Sequence, residues 1–327
     1  MPPDQPFISF AQNGEDVVLW RALQHLPKGR YVEVGANHPT TSSITRAFYD
    51  RGWTGIEIEP VTQFAEAFRK DRPGDVVVEA AITDEAVDSV TLHVIDDTGL
   101  STLDDQIGEK HRSLGWAVRD EAVPARRLDD VLTEHVPSGE DIHFMVVDTE
   151  GSERAVLATV DLRRWRPWVL VVEATAPNST APAHEAWEPM VLAAGYEFCL
   201  FDGLSRFYVA EEHAPTLRAA LAAPANPLDE FVRYSVQQER EELAAARAEL
   251  AALRAAHEEV LAEVVRWRGA VLARWSDAAA SGANGKGPAG HEVVRLRKEL
   301  EAHRATLSWR LTAPLRAVQQ RRIQGWR

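Results

Sequence analysis

Up to about residue 225 the chain alternates short apolar, β-branched runs with amphipathic stretches. The runs read RYVEVG, TGIEIEP, DVVVEAAI, SVTLHVI, IHFMVVDTEG, WVLVVEA, YEFCLF and RFYVAE. Strands separated by helical patterns predict βαβ units and an α/β fold with a mostly parallel sheet. The runs at Asp75–Ile82, Ile142–Asp148 and Trp168–Ala174 are apolar at nearly every position, which predicts strands covered on both faces. Asp202-Gly203 joins the last two runs and predicts a hairpin, so the sheet is expected to end in an antiparallel pair.

From Asp229 the alphabet narrows to Ala, Glu, Arg and Leu. Val236, Leu243, Leu250, His257, Val264 and Val271 share one heptad position, and Glu239, Ala246, Leu253, Val260, Trp267 and Arg274 lie three residues further on. Most of these positions are apolar between charged neighbours, which predicts a coiled coil. At about 1.5 Å per residue, Asp229 to Ser276 would form a rod about 70 Å long. Such a rod has little to pack on within one chain, so a homo-oligomer or a partner helix is expected. AASGANGKGPAG reads as a flexible linker, and a second short heptad run follows through Val293, Leu296, Leu300 and Leu307. The expected organisation is a catalytic domain over 1–225, a coiled-coil helix over 226–278, a linker over 279–290 and a basic helical tail over 291–327.

Charge divides along the same lines. The whole chain carries 36 Lys+Arg against 50 Asp+Glu, a formal −14. From residue 291 there are nine bases and three acids, so residues 1–290 hold 36 − 9 = 27 bases against 50 − 3 = 47 acids. An acidic body argues against a nucleic-acid binder. The basic end, with Trp309, Leu311, Leu315, Val318 and Trp326 among its arginines, would suit an anionic membrane surface or a partner protein. One cysteine, Cys199, excludes an internal disulfide framework and a multi-Cys zinc site, and its apolar neighbours predict a buried strand. The first twenty residues lack the pattern of a signal peptide, and no stretch approaches eighteen apolar residues. The expected location is the cytoplasm, with the basic tail at the inner face of the membrane.

Candidate chemistry starts at YVEVGANHP. A strand running into Gly35-Ala36-Asn37 lets a ligand approach the backbone, because Gly35 has no Cβ. Glu59 lies 59 − 35 = 24 residues further on, at the end of the next strand, where an acid can accept both ribose hydroxyls of a nucleoside. The second and third glycines of a dinucleotide fingerprint are absent, replaced by Asn37, Pro39 and Thr40. A nucleoside without pyrophosphate, such as S-adenosylmethionine, therefore fits better than NAD. The plainer role for Glu59 is an N-cap to the helix starting near Val61.

RYVEVGANHPTTSSITRAFYDRGWTGIEIEP, EAAITD, GLSTLD, RLDDVL, HFMVVDTEGSERAVL, RPWVLVVEA and GYEFCLFDGLSRFYV, in that order, resemble the FkbM-type S-adenosylmethionine-dependent methyltransferases over roughly residues 8–211. NGEDVVL is similar to the entry segment of that family's glycan-associated branch. The resemblance implies a class I methyltransferase fold: a Rossmann-like, seven-stranded, mostly parallel sheet with helices on both faces. It implies O-methylation of a hydroxyl on a saccharide or cell-surface glycan precursor. Glu33, Gly35, Ala36 and Asn37 match the cofactor loop, with Glu33 expected to bind the methionine amino group directly or through water; its plainer role is a satisfied acid at a strand end. Ala81, Ile82 and Thr83 match the block that packs on adenine, and Ile82 serves equally well as core. Glu at position 33 replaces the more frequent Asp, and Pro39 replaces a third glycine.

Asp148-Thr149-Glu150-Gly151 resembles the family's acid-x-Glu-Gly block beside the methyl-transfer site. Methyl transfer needs an acceptor oxygen held in line with the sulfonium carbon while its proton leaves. Asp148 would accept that proton or bind a divalent cation. Glu173, ending the next strand, is the natural second carboxylate, and His38 is a competing base. Asp148, Glu150, Glu173 and His38 form an oxygen-rich set suited to Mg²⁺ rather than zinc. Gln12, Glu15 and Asp16 would lid the cofactor or read the sugar; Asn13 with Asp16 also resembles a helix-start cap. Ser101 and Thr102 would line the pocket or form a turn. Trp116 and Trp187 would stack a sugar ring or pack into the core or a lid. Set against this enzyme is a second reading, a catalytically inactive methyltransferase-like scaffold that organises a glycan-synthesis complex through its coiled coil.

Overall fold

The computed structural model describes residues 6–95, 99–281 and 289–306. The chain divides into two compact units, Met1–Glu241 and Glu242–Arg327. The first unit begins with β1 (Phe7–Ser9), α1 (Glu15–Leu23), β2 (Arg30–Val34), α2 (Arg46–Tyr49), β3 (Thr54–Ile58), α3 (Thr62–Asp71) and β4 (Val76–Val78). It continues with β5 (Ala81–Ile82), β6 (Ser89–Val94), α4 (Asp105–Ser113), β7 (Arg119–Arg126), α5 (Leu128–His135), β8 (Phe144–Val147) and α6 (Glu153–Leu157). It ends with β9 (Val169–Glu173), α7 (Glu188–Ala193), β10 (Tyr196–Phe201), β11 (Ser205–Ala210), α8 (Ala214–Leu221) and β12 (Phe231–Arg233).

Seven strands form the central sheet in the order β10-β11-β9-β8-β2-β3-β4. Every neighbouring pair is parallel except those of β11, which runs antiparallel to both β9 and β10. The expected antiparallel end is present, and the tight Asp202-Gly203 turn slots β11 between β10 and β9. Asp202 Oδ1 accepts from the N–H groups of Leu204 and Ser205 at 2.9 and 2.8 Å, and Gly203 takes φ 106.

Side-chain alternation assigns each strand residue to one of two cores. Val32, Val34, Ile56, Ile58, Met145, Val147, Leu170 and Val172 pack with Leu128, Val131 and Leu132 of α5, and with Val156 and Val191. Tyr31, Phe144, Val146, Val169, Val171 and Phe207 pack on the other face with Val18 and Leu19 of α1, Phe48 of α2 and Leu217 of α8. β8 and β9 are buried at every position, as the unbroken apolar runs predict.

The run at Asp75–Ile82 behaves differently. Its first half is the edge strand β4, with Val76 and Val77 half-buried, and the chain then breaks at Glu79-Ala80. β5 leaves for a separate three-stranded sheet of order β5-β7-β6, so SVTLHVI supplies β6 of that small sheet and not a strand of the central one. β7, RDEAVPAR, gives no apolar run because only Val123 of its eight residues is buried. A further parallel pair, β1 with β12, joins Phe7 to Phe231. Arg21 closes it with a two-bond fork to Asp229, at 2.7 and 2.8 Å.

Three sequence alternatives resolve structurally. Trp187 is core, 1% exposed, whereas Trp116 stacks on His111 with ring centroids 5.0 Å apart. Asn13 caps nothing: Gly14 is the N-cap residue of α1 and no side chain bonds there. Cys199 lies on strand β10 as expected but is half-buried, not buried, because β10 is the outer edge strand and only part of its residues are covered; burial still pushes its thiol up to about 11.

α9 (Tyr234–Ser281) starts in the first unit and runs through the second, which also holds α10 (Ala289–Arg304). Arg274 reaches Glu299 at 3.9 Å. Residues 282–288 of the expected linker and the tail arginines from Arg310 onward lie outside the described residues. No helix among the described residues is long and apolar enough to cross a membrane.

Candidate active site

Strand register builds the site. Val34 pairs with Ile58 and with Val147, and Val147 pairs with Val172. One residue beyond this row stand Gly35, Glu59, Asp148 and Glu173, so four separate segments end on one edge of the sheet. In an open α/β sheet that edge is where ligands bind.

Gly35 takes φ 84, and a Cβ added there would lie 1.7 Å from the carbonyl oxygen of Asp148. Its N–H and that of Ala36 donate to Ile58 O at 3.0 and 3.2 Å, and Asn37 follows with φ 52. The loop then bonds to Glu59: Oε2 accepts from Asn37 N at 2.7 Å and Oε1 from Val61 N at 2.8 Å. Glu59 therefore serves the start of α3 and the glycine loop together, and each oxygen retains a lone pair for a hydroxyl donor. Burial pushes it up to about 7.

Beside the loop lies a narrow pocket lined by Val34, Gly35, Ile58, Ala81, Ile82 and Leu92 among others. Its walls are apolar and a carboxylate stands at the neighbouring strand end, the combination that suits a nucleoside: an apolar slot for a base and an acceptor for ribose hydroxyls. S-adenosylmethionine fits these residues, and Ala81 and Ile82 are among the lining.

The acids Asp148, Glu150 and Glu173 converge, each offering one oxygen within 4.8 Å of the others. Glu150 is held in the left-handed region, φ 51, which costs a non-glycine residue about 1 kcal/mol or more. Two groups hold it there. Thr102 Oγ1 donates to Glu150 O at 2.8 Å, and Glu153 Oε1 accepts from the N–H groups of Thr149 and Gly151, each at 3.0 Å. Burial pushes Asp148 up to about 7 and Glu150 to about 8, with neighbouring carboxylates adding repulsion. Burial, with repulsion from Asp148 and Glu150, raises Glu173 too, to about 11. Glu173 Oε2, on a residue 6% exposed, and Glu150 Oε2 have no hydrogen-bond partner.

Other candidates stand apart from this trio. His38 Nδ1 accepts from Thr40 N and Thr41 N, both at 3.0 Å, and the ring meets Phe64 edge-on, so its proton lies on Nε2 and the lone pair a base would use is already engaged. Partial burial lowers its pKa. Asp16 is fully buried, accepting from Ser9 Oγ and Phe10 N at 2.7 Å each, where it pins β1. Glu15 accepts from Asn13 N at 2.9 Å, and burial, reinforced by Asp202, pushes it up to about 8. Gln12 is exposed. Ser101 Oγ accepts from Ile95 N at 3.3 Å.

Behind the glycine loop lies a buried network that the sequence patterns missed. Thr45 Oγ1 donates to Glu33 at 2.7 Å and lies 2.8 Å from Glu57. Arg72, fully buried, donates to Thr45 Oγ1, Glu57 Oε1 and Ser43 Oγ at 2.7, 2.7 and 2.6 Å, and to the carbonyl of Pro39. Burial raises both acids, Glu57 well above the usual range because Glu33 lies beside it. A Glu in the middle of an enclosed strand is the signal that could have found it, since a buried acid demands a partner.

The family model described as the methyltransferase FkbM domain matches residues 33–198, just over half of the chain. The chain belongs to the FkbM methyltransferase family. The matched span opens at Glu33 and takes in the glycine loop, Glu59, the acidic trio and the start of β10. No curated protein matches significantly. Among solved structures, a TehB-like S-adenosylmethionine-dependent methyltransferase from Corynebacterium glutamicum aligns at 10% identity and TM-score 0.34, over 61% of this chain and 88% of that one. CalO1, a methyltransferase of calicheamicin biosynthesis crystallised with S-adenosylhomocysteine, aligns at 14% identity and TM-score 0.31, over 60% of this chain and 53% of that one. As an FkbM protein the chain is an S-adenosylmethionine-dependent methyltransferase.

Proposed function

We propose that this FkbM protein methylates the hydroxyl oxygen of a saccharide or glycan precursor. The observation that carries the reading is the convergence of Asp148, Glu150 and Glu173 at the edge that also presents the glycine loop and Glu59. Bound at that loop, S-adenosylmethionine supplies a methyl group on a sulfonium leaving group. A neutral alcohol is a poor nucleophile, and the chain's contribution is to orient its oxygen and remove its proton. Asp148, whose carboxyl burial pushes up to about 7, would take the acceptor's proton as the methyl group passes from sulfur to the hydroxyl oxygen. Glu173, beside Asp148, would fix its orientation. Glu59 would hold the ribose hydroxyls, and Glu33, buried and tied to Thr45, would take the methionine amino group. Ser101 and Thr102 line the acceptor side, Thr102 through its bond to Glu150. Gln12, Glu15 and Asp16 belong to the segment that orders the entry of the chain.

A second reading is favoured by the two orphaned oxygens, Glu150 Oε2 and Glu173 Oε2. Three carboxylates offering only oxygen are the donor set for a hard divalent cation such as Mg²⁺. A cation there would acidify the acceptor hydroxyl. The two readings separate on one experiment: methyl transfer from labelled S-adenosylmethionine to a panel of saccharides, with and without chelator. Acceptor gaining one methyl on oxygen supports the proposal, and loss of turnover with chelator selects the cation. Transfer only to nitrogen or carbon acceptors, or cofactor binding with no transfer to any hydroxyl, overturns it, and the latter restores the inactive scaffold. The proposed setting is the cytoplasmic face of a membrane, reached through the basic tail.

A further inference from the structure

The first heptads of α9 leave their apolar positions in water. Leu243, Leu250 and Leu253 are 51, 48 and 61% exposed. Toward the C-terminal end Val260, Trp267 and Val271 become half-buried, near where Arg274 meets Glu299 of α10. The exposed stripe extends through Val264, which is 42% exposed.

The residues flanking this stripe have a directional charge pattern. Just before each first core position stand Ser235, Glu242, Glu249, Ala256, Glu263 and Ala270. Just after each second core position stand Arg240, Arg247, Arg254, Leu261, Arg268 and Trp275. In a parallel two-stranded coiled coil each residue of the first set faces the residue five positions later on the other helix. That brings Glu242 to Arg247, Glu249 to Arg254 and Glu263 to Arg268, and it brings Ala256 to Leu261 and Ala270 to Trp275. Charge meets opposite charge, and apolar meets apolar. In an antiparallel pair each set faces itself, glutamate on glutamate and arginine on arginine, which is repulsive.

Pairing within one helix does not account for the pattern. Neither Glu242 nor Glu249 has a base three or four residues away, and Arg247 has no acid at those spacings. His257, the polar residue among the first core positions, meets its own equivalent only in a parallel, in-register pair, the arrangement in which a lone polar core residue fixes register.

We infer that the occupant of this stripe is a second copy of the chain, and that the two α9 helices pair in parallel and in register across Leu243 to Val264. The test uses the full chain. Sedimentation at micromolar concentration should give a dimer, twice the 36.3 kDa of the chain. Glu242→Arg with Glu249→Arg should return it to monomer, and adding Arg247→Glu with Arg254→Glu to that variant should restore the dimer. Restoration also shows that the charge-reversed chain folds. In a Cys199→Ser background, Leu250→Cys should form a disulfide between copies, because a core position meets itself only in a parallel in-register pair. A monomeric wild type overturns the inference. A dimer that ignores the charge reversal, or that fails to cross-link at residue 250, overturns the parallel register.

Discussion

A Cβ placed on Gly35 would sit 1.7 Å from the carbonyl oxygen of Asp148. The glycine loop and Asp148 are thus in backbone contact, because β2 and β8 are neighbours and both turn at the same level. Gly35→Ala should therefore disturb both sides. The left-handed backbone alone costs about 1–3 kcal/mol for a residue with a side chain, and relieving the clash must move Asp148. A lower urea midpoint together with lost S-adenosylhomocysteine binding is expected, whereas an unchanged midpoint would contradict the geometry.

Arg72 is an internal tie between α3 and the glycine loop. It is fully buried and bonds to Glu57, Thr45, Ser43 and the carbonyl of Pro39. Removing one partner of a buried ionic network strands the other, at a cost of about 3–5 kcal/mol. Arg72→Met should lose stability on that scale in denaturant melts and loosen cofactor binding. A loss below about 1 kcal/mol would show that the network carries little of the fold, the level of an exposed pair.

Much of the site could be read from the chain because an acid or a glycine marks the point where each apolar run stops. Glu33 and Gly35, Glu59, Asp148 and Glu173 each close such a run, and parallel register brings these ends together. The small sheet was illegible for physical reasons. β7 buries only Val123 and is charged elsewhere, and β5 is continuous in sequence with β4, so DVVVEAAI reads as one strand. Arg72 was missed because it looks solvated in its own segment, and Glu57, although it sits mid-strand, was passed over because its partner is only brought to it by the fold. His38 was legible as a titratable loop residue, but the backbone donors of Thr40 and Thr41 that occupy its Nδ1 were not.

Glu15 gives a pH signature distinct from the active site. Burial holds its native pKa near 8, well above the 4.5 of a free glutamate. Between those values the native state keeps a proton that the unfolded state has lost, so stability falls as pH rises, by about 1.4 kcal/mol per unit. Glu15→Gln should remove that slope, so its advantage over wild type in urea midpoint should grow from pH 6 to pH 8.5. Parallel stability curves for the two proteins would contradict the assignment.

Cation binding is separable from turnover. If Asp148, Glu150 and Glu173 hold a divalent cation, millimolar Mg²⁺ should raise the melting temperature of the cofactor-free protein and Glu150→Gln should abolish the rise. By mass action, a ligand at 100 times its Kd stabilises by about 2.7 kcal/mol. No shift at any Mg²⁺ concentration would leave the trio to act through its protons alone.

The most direct test of the account is calorimetric titration with S-adenosylhomocysteine. The wild-type protein should bind one equivalent, NAD should give no heat, and Glu59→Ala should abolish binding while leaving the protein folded. Absence of binding by the wild type, or equal binding by wild type and the Glu59→Ala variant, would contradict the site assigned to the glycine loop and Glu59.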